Sequence, residues 1–142
     1  MKKIMKWISI LSLMLVLVTG CSTNQKTLDK NGYYYSKEDV SLYIHTYGEL
    51  PDNFMTKDEA TNLGWNSKKG NLWDVAKDMC IGGDKFGNRE GILPKEKGRQ
   101  YYECDIDYHG GYRNEKRLVY SNDGLIYYTE DHYESFEEIK YD

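Results

Sequence analysis

The sequence lacks the ligand patterns of the common metal-dependent and nucleotide-dependent enzymes. It has no CxxC pair, no HExxH motif and no EF-hand loop, and Lys68-Lys69-Gly70 is not preceded by the glycines of a P-loop. It also has no internal repeat and no low-complexity tract. We therefore expect a globular domain that works without a resident metal ion or any other cofactor.

Long apolar runs are also scarce. The one extended run covers residues 7–18, with only Ser9 and Ser12 as polar interruptions, and it follows a basic start at residues 1–6. A run of this length is too short to span a bilayer as a helix. Its basic leading flank is that of a secretory signal, so we expect the chain to be exported.

The end of this segment, residues 17–21, is Leu-Val-Thr-Gly-Cys and resembles the lipobox of bacterial lipoproteins. The resemblance implies cleavage after residue 20, a lipid anchor on Cys21 and a membrane-bound protein on the extracytoplasmic face, which later shedding would make extracellular. Residues 21–34 would then be the lipidated cysteine and a polar tether, and residues 35–142 the domain. An ordinary secretory signal with an incidental cysteine is the alternative.

Positive charge is in deficit. The chain has 19 Lys and Arg against 23 Asp and Glu, and removal of residues 1–20 would leave 16 against 23, a net charge of −7. Such a charge opposes non-specific binding to a polyanion. A nucleic-acid function must therefore rest on a local cluster of cations.

Cysteines are few. If Cys21 carries lipid, Cys80 and Cys104 remain. An exported protein can keep a disulfide, and two is an even number. Both could instead be small buried hydrophobic side chains, and the sequence leaves this choice open.

Helix signals occupy the first half of the domain. Ser36 is a predicted N-cap followed by acidic residues, and apolar residues continue at helical spacing as far as Gly48. Thr56 opens a capping box and a second helix that stops at Gly64. A weaker signal over residues 71–76 predicts a third short helix.

From residue 80 onward the pattern has a period of two, which is typical of strands. Residues 102–108 alternate apolar and acidic side chains, which predicts one buried and one solvent-exposed face, with Glu103 and Asp105 together on the exposed face. Asp123-Gly124 predicts a tight hairpin turn. Further strands are predicted over residues 117–120, 125–128 and 136–139. We expect an α+β fold, with N-terminal helices packed on one face of a C-terminal antiparallel sheet.

One carboxylate, one imidazole and several cations could cleave RNA without a metal. Glu103 could remove the proton of a 2′-hydroxyl, and His132 could protonate the departing 5′-oxygen near neutral pH. Arg113, Arg117 and Lys57 could hold the phosphate, since guanidinium forks match its oxygens and Lys57 lies in the first turn of a helix. Each residue alone also has a plainer reading, as a solvated carboxylate, a loop histidine or a surface cation.

Residues 86–91, Phe-Gly-Asn-Arg-Glu-Gly, form a predicted loop with two glycines. The Glu90 carboxylate could accept hydrogen bonds from both donors on the pairing edge of guanine while loop N–H groups face its O6. Adenine has no such pair of donors, so the loop would select guanine. A plain surface turn is the alternative.

These signals occur in an order that resembles the barnase family of bacterial guanyl-preferring ribonucleases. The resemblance extends without a gap from about residue 35 to residue 139. The matching runs are Leu50-Pro51-Asp52-Asn53, Thr56-Lys57, Leu63-Gly64-Trp65, Lys69-Gly70-Asn71-Leu72, Asp74-Val75-Ala76, Ile81-Gly82-Gly83-Asp84, Asn88-Arg89-Glu90-Gly91, Leu93-Pro94, Gly98-Arg99, Asp105-Ile106, Arg113-Asn114, Leu125-Ile126-Tyr127 and Asp131-His132-Tyr133.

The resemblance implies the microbial ribonuclease fold and an endonuclease that cleaves single-stranded RNA on the 3′ side of guanosine. It implies Glu103 as general base and His132 as general acid, with a 2′,3′-cyclic phosphate formed first and a 3′-phosphate afterwards. The other implied site residues are Lys57, Arg113 and Arg117 around the phosphate, Tyr133 lining the site, Asn88, Arg89, Glu90 and Phe86 at the guanine, and Asp84 and Asp105 behind the cations.

Some positions differ from the family pattern. Gly87 stands where the family often has Ser, Ile92 where a Lys is common and Gly124 where a Trp is common, while Glu115, Glu130 and Glu134 add acid near the site. The predicted catalytic set is intact, but these changes predict a weaker affinity for long RNA. A catalytically weak or inactive surface lipoprotein, which binds nucleotides or a protein partner, is the alternative function.

The resemblance also implies partners. The substrate would be single-stranded RNA, and the membrane would be reached through the lipid on Cys21. An active ribonuclease endangers its producer before export, so a barstar-like cytoplasmic inhibitor with an acidic surface is expected. We expect the protein to be a monomer.

Overall fold

The computed structural model describes residues 26–142, so the predicted signal segment, Cys21 and the start of the tether lie outside the described residues. Within this range the helices are α1 (Lys37–Tyr47), α2 (Lys57–Asn62) and α3 (Leu72–Val75), with a 3₁₀ turn at Ser67–Lys69. The strands are β1 (Phe54–Met55), β2 (Cys80–Phe86), β3 (Tyr101–Asp105), β4 (Arg117–Ser121), β5 (Ile126–Thr129) and β6 (Glu137–Glu138). No helix in this part of the chain is long and apolar enough to cross a membrane.

The strands form one sheet in chain order, from β1 at one edge to β6 at the other. Each strand from β2 to β6 pairs antiparallel with the next. The short β1 was not predicted and pairs parallel with β2, because α2 and α3 form the crossover between them. With helices first and a mostly antiparallel sheet after them, the predicted α+β class is confirmed.

The predicted helix ends are present. Ser36 Oγ accepts a hydrogen bond from the Asp39 N–H, and Gly48 ends α1 in the left-handed conformation while its N–H bonds to the Ile44 carbonyl. Thr56 begins α2 with both hydrogen bonds of a capping box. These local signals are reliable because each satisfies backbone groups that the helix itself leaves unpaired.

One face of the sheet is covered by α1. Val40 and Ile44 pack against Cys104, Leu118 and Ile126 and form the main core cluster. A second cluster lies beneath the other two helices and comprises Ala60, Trp65, Leu72, Cys80, Ile81 and Tyr108.

Cys80 and Cys104 lie in different clusters and are both free and buried. Burial raises the pKa of the Cys80 thiol to about 12, so it stays protonated. Both cysteines are therefore small hydrophobic core residues, and the structure favours this alternative over a disulfide.

The opposite face of the sheet carries a smaller core and the polar residues of the candidate site. Leu93, Tyr101, Val119 and Tyr127 pack there beneath aromatic side chains of the flanking loops. The prediction that the acidic face of β3 is exposed was wrong, because Asp105 is only 1% exposed and the Glu103 side chain only 12%. The loops after β2 and β5 cover this face, and cations pair with both carboxylates.

The chain just before α1 is packed on that helix. Leu28 is buried, and its carbonyl accepts a hydrogen bond of 2.7 Å from the Tyr47 hydroxyl. The Lys30 carbonyl accepts one of 2.6 Å from Tyr43. Part of the segment predicted as a tether, residues 28–34, is thus in contact with the domain.

Candidate active site

A groove on the loop-covered face of the sheet consists of two adjoining pockets. The first has a volume of about 590 Å³ and is lined by residues 85–90 together with Glu103 and Tyr133. The second, of about 550 Å³, is lined by Arg113 and Arg117 among others. His132 and Glu134 line both, so they stand where the two pockets meet. The groove therefore brings a carboxylate, an imidazole and two guanidinium groups to one side of the molecule.

Glu103 lies in the middle of β3, a central strand that fixes its backbone on both sides. Its register partners are Asp84 on β2 and Val119 on β4. The Lys57 ammonium lies 3.4 Å from Glu103 Oε1, and the Lys57 backbone N–H donates to Asp84 Oδ2 at 3.1 Å. The two carboxylates thus hold Lys57 at the edge of the groove, one by its side chain and one by its backbone.

A β-bulge in β2 makes this arrangement possible. Gly82 pairs with Cys104, but the next pair is Asp84 with Glu103, so Gly83 is the additional residue. Gly83 has φ +101°, which L side chains rarely adopt. A Cβ at Gly82 would lie 2.6 Å from the Cys104 Cβ. Both glycines are therefore needed where they stand, and the bulge brings Asp84 into register with Glu103.

The two arginines share a single buried carboxylate. Arg113 makes a bidentate contact with Asp105, in which Nε donates to Oδ2 at 2.8 Å and Nη2 donates to Oδ1 at 2.7 Å. Arg117 Nε lies 3.0 Å from Oδ1, but in a direction too oblique for a hydrogen bond, and its Nη1 donates to the carbonyls of Asn114 and Lys116. The two cations outnumber the one carboxylate that holds them, while Glu115, Asp131 and Glu134 also line this pocket and lower its overall charge.

The ionisation of Arg113 is secure. Burial by itself would lower its pKa, but the hydrogen bonds and the charge of Asp105 outweigh burial and raise the pKa above its ordinary value. A guanidinium group already fixed by a carboxylate loses little freedom when an anion binds, which suits it to hold a phosphate.

His132 lies in the loop between β5 and β6 and has a backbone φ of +55°, followed by Tyr133 at +74°. Left-handed conformations are uncommon outside glycine, and two in succession are more so. The His132 N–H donates to the Glu115 carbonyl at 3.2 Å, and the Tyr133 N–H to Thr129 Oγ1 at 3.0 Å. The loop thus turns the imidazole into the groove on a constrained backbone.

Aromatic rings form one wall of the first pocket. The Tyr133 ring lies 5.0 Å from that of Phe86 and 4.8 Å from the imidazole of His132. Phe136 meets Phe86 edge-on. Burial, and next to it the charge of Glu103, raises the pKa of the Tyr133 hydroxyl above its ordinary value, so the hydroxyl remains protonated and able to donate a hydrogen bond.

The loop after β2 is closed on itself by Asn88. The Asn88 side chain donates to the Leu93 carbonyl at 2.9 Å and accepts from the Leu93 N–H at 3.1 Å, and its carbonyl accepts from the Gly91 N–H. The side chain of Asn88 therefore shapes the loop from within. Arg89 and Glu90 are exposed and line the pocket beside it.

All of the site residues predicted within residues 26–142 lie at or next to the groove. Lys57 contacts Glu103, Asp105 contacts Arg113, and Asp84 pairs with Glu103 in the sheet, but none of the three lines either pocket. Three residues that build the His132 loop were missed, namely Thr129, Asp131 and Ser135. Their spacing, Thr-x-Asp with a Ser four residues later, is the signal that could have identified them. Across the described residues there is no group of three or more His, Cys, Asp or Glu side chains that could hold a metal ion.

Comparisons with known proteins show similarity to ribonucleases in each case. The model of the ribonuclease family matches residues 37–140. A ribonuclease of Heyndrickxia coagulans is 54% identical over 101 residues, which cover 71% of this chain and 93% of that protein. A ribonuclease of Bacillus intermedius is also 54% identical over 101 residues, but the match spans only 62% of its length. The guanyl-specific ribonuclease St of Saccharopolyspora erythraea is 39% identical over 79 residues, 55% of this chain and 74% of that protein.

Proposed function

Because the chain belongs to the ribonuclease family, we propose that it is an endoribonuclease that cleaves single-stranded RNA on the 3′ side of guanosine by metal-free transesterification. The observation that carries the proposal is the groove, in which Glu103 and His132 line one pocket and the arginines line the pocket next to it. A scissile phosphate at the junction would have a carboxylate and an imidazole within its surroundings and fixed cations beside it.

In the first step Glu103 accepts the proton of the ribose 2′-hydroxyl. The 2′-oxygen forms a bond to phosphorus while the bond from phosphorus to the 5′-oxygen breaks. His132, in its protonated form, transfers a proton to that 5′-oxygen. The products are a 2′,3′-cyclic phosphate and a free 5′-hydroxyl end.

The second step opens the cyclic phosphate with the two roles exchanged. His132, now neutral, takes a proton from water, and the water oxygen forms a bond to phosphorus. The bond from phosphorus to the 2′-oxygen breaks, and Glu103 returns its proton to that oxygen. The product is a 3′-phosphate, and both residues regain their starting protonation.

Fixed cations would stabilise the charge that builds up on phosphorus. Arg113 and Arg117 are held by Asp105, and Lys57 is held by Glu103 and Asp84, so none needs to reorganise when the transition state forms. Guanidinium and ammonium groups that are already in place would give an anion direct partners on a chain whose overall charge is negative.

The guanine preference rests on the loop that Asn88 closes. Glu90 lines the first pocket from this loop, and the Phe86 and Tyr133 rings lie on the same pocket. A guanine stacked there would offer its two donors to the carboxylate. The Saccharopolyspora relative is a guanyl-specific ribonuclease, which supports the same preference.

The proposal is tested with the chain lacking its signal segment, assayed on single-stranded RNA in the presence of a chelator. We expect cleavage that survives chelation and falls by roughly 10²- to 10⁴-fold in Glu103→Ala and in His132→Ala. His109→Ala and Glu38→Ala, which change an exposed histidine and an exposed glutamate outside the groove, should leave the rate unchanged. Absence of cleavage by the wild-type chain would favour a nucleotide-binding or protein-binding role.

The base preference is tested with two dinucleotides that differ only in the 5′ base, guanosine or adenosine. We expect the guanosine substrate to have the higher kcat/KM, and Glu90→Gln to reduce this ratio because a neutral amide cannot accept from both guanine donors. An equal kcat/KM for both substrates would contradict the assignment of Glu90.

We further propose that the protein is exported and anchored through a lipid on Cys21. The support is the sequence of residues 1–21, which lie outside the described residues. Mass spectrometry of the native protein should give a chain that begins at a lipidated Cys21, and Cys21→Ser should give a chain without lipid. An unmodified Cys21 in the mature protein would contradict the anchor.

Lys85 and Arg89, which are exposed and line the groove, support the further proposal of a cytoplasmic inhibitor with an acidic surface. Production of the chain without its signal segment should then harm cells that lack such a protein, and His132→Ala should remove the harm. Complex formation should weaken with salt because the two surfaces attract by charge.

A further inference from the structure

The Asp131 side chain is the centre of a hydrogen-bond network that spans residues 129–135. Oδ1 accepts from Thr129 Oγ1 at 2.8 Å, from the Glu134 N–H at 3.1 Å and from the Ser135 N–H at 2.9 Å. Oδ2 accepts from Ser135 Oγ. One carboxylate therefore ties the chain before His132 to the chain after Tyr133.

The network encloses the two left-handed residues of the loop. His132 and Tyr133 carry side chains that make this conformation unfavourable, so the loop needs external contacts to retain it. Asp131 contacts the residues on both sides of the pair.

The network is also anchored to the sheet. Asp105, Arg117 and Thr129 stand in register on β3, β4 and β5, and all three are almost fully buried. Thr129 Oγ1 donates to Asp131 and accepts from the Tyr133 N–H. Of these three neighbouring residues, Asp105 thus holds the arginines and Thr129 holds the His132 loop.

We propose that Asp131 is a positioning residue for His132, and that it fixes the imidazole relative to the phosphate through the backbone of residues 131–135. The proposal rests on the proposed ribonuclease function and assigns Asp131 no contact with the substrate. A displacement of about 1 Å of a reacting group costs on the order of 10²-fold in rate, so a loop that relaxes would affect the chemical step.

Loss of the Asp131 charge and loss of its hydrogen bonds should affect the reaction in opposite directions. Asp131 lines the pocket of the arginines, so removal of its negative charge would by electrostatics alone favour the binding of an anionic substrate. Loss of its hydrogen bonds would instead displace His132 and reduce kcat. The two effects can therefore be separated by measurement of kcat and KM on a short substrate.

The test compares Asp131→Ala with Asp123→Ala in the chain without its signal segment, on a guanosine dinucleotide. Alanine is used because asparagine would keep an oxygen able to accept the three bonds made to Oδ1. Asp123 is the matched control because it also accepts a bond from a hydroxyl two residues earlier, Ser121 Oγ, and lines neither pocket of the groove. We expect Asp131→Ala to lower kcat by roughly 10- to 100-fold, with KM changed by less than about threefold. Asp123→Ala should leave both constants unchanged.

Ser135→Ala is the milder variant, since it removes one donor and no charge. We expect it to lower kcat less than Asp131→Ala does, and to shift the NMR signals of the His132 imidazole, whereas Asp123→Ala should not shift them. Asp131→Ala with a wild-type kcat, or an equal loss of kcat in Asp123→Ala, would overturn the proposal.

A failure of the underlying function has a different signature. If the wild-type chain does not cleave the dinucleotide, the ribonuclease proposal fails. The conformation of the loop can still be measured in the whole chain, by the NMR coupling constants that report φ at His132 and Tyr133. These should lose their left-handed values in Asp131→Ala and Ser135→Ala. Unchanged φ values in both variants would overturn the positioning role as well.

Discussion

Two loops at opposite ends of β5 are built with the same device and differ in what they hold. In each, a hydroxyl donates to an aspartate two residues later and accepts from the backbone N–H four residues later. The bonds are Ser121 to Asp123 and Leu125 to Ser121 in the turn before β5, and Thr129 to Asp131 and Tyr133 to Thr129 in the loop after it. The turn before β5, residues 121–125, is called the distal turn below, and residues 129–135 the site loop.

The difference lies in which residues take the left-handed conformation. The distal turn places Gly124 there, with φ +98°, where glycine is unstrained. The site loop places His132 and Tyr133 there, and Asp131 accepts two further backbone bonds that Asp123 does not. The comparison shows that a turn of this kind can form without backbone strain when glycine takes the left-handed position. The strained version occurs where side chains are needed in the groove.

The arginine contacts repeat the comparison. Arg99 grips Asp123 at the distal turn, where the carboxylate is 44% exposed. Arg113 and Arg117 flank Asp105 below the groove, where the carboxylate is buried. Water screens the Arg99–Asp123 pair much more than it screens Asp105 and its two arginines, so the two sites should differ strongly in their effect on stability.

The largest effect is therefore expected for Asp105→Asn. It leaves two buried guanidinium groups without their carboxylate, and the free energy of unfolding should fall by about 3–5 kcal/mol. Ribonuclease activity should fall as well because both arginines lose their orientation. Urea denaturation with Asp123→Asn in parallel measures the contrast, and an equal, small change in the two variants would contradict it.

The next largest effect is expected for Thr129→Val. It removes a buried hydroxyl and leaves the Tyr133 N–H without its acceptor, at a cost of about 1–3 kcal/mol in unfolding free energy. The kcat should fall too, since this hydroxyl anchors the site loop. Ser121→Ala in the distal turn should reduce stability but leave kcat unchanged, and a parallel loss of kcat there would show that the two loops are not independent.

Gly124→Ala tests the distal turn from its backbone. A Cβ at Gly124 would meet no atom within 4 Å, so any change in stability comes from the left-handed φ alone. We expect a loss of about 1–2 kcal/mol in unfolding free energy with no change in kcat. Thermal denaturation and the dinucleotide assay give the two readings, and an unaltered melting temperature would contradict the φ of this residue.

The smallest effect is expected on the acid dependence of stability. Hydrogen bonds from Ser135 and Thr129 lower the pKa of Asp131 from 3.8 to about 2, and those from Arg99 and Ser121 lower that of Asp123. A lowered folded-state pKa contributes stability that is present above the ordinary pKa and is lost as the pH falls toward 2. Asp131→Asn and Asp123→Asn should each flatten the fall in stability between pH 4 and about 2. A wild-type slope in both would contradict the assigned hydrogen bonds.

The sequence predicted those parts of the fold that depend on local chemistry. Ser36, Thr56 and Gly48 mark helix ends because a cap is satisfied within a few residues. The resemblance supplied the set of site residues. The parallel partner of β2 was missed because β1 has only two residues, and its pairing is made by residues distant in sequence.

Burial at the site was the other feature that the sequence did not predict. The alternation in β3 placed Asp105 on a polar face, but the structure covers that face with loops and turns Asp105 into the buried partner of two arginines. Alternation reports only which side chains share a face, and it cannot tell what covers them. The role of Asp131 was missed for a different reason, because the local Thr-x-Asp spacing with a Ser four residues later was not used as a signal.

The central claim is that Glu103 and His132 act on one phosphate by transesterification. Phosphorus NMR of the wild-type chain with a guanosine dinucleotide and a chelator tests it most directly. We predict that the signal of guanosine 2′,3′-cyclic phosphate rises first and that of guanosine 3′-phosphate replaces it. A product with a 5′-phosphate, or turnover that requires a metal ion, would contradict the account.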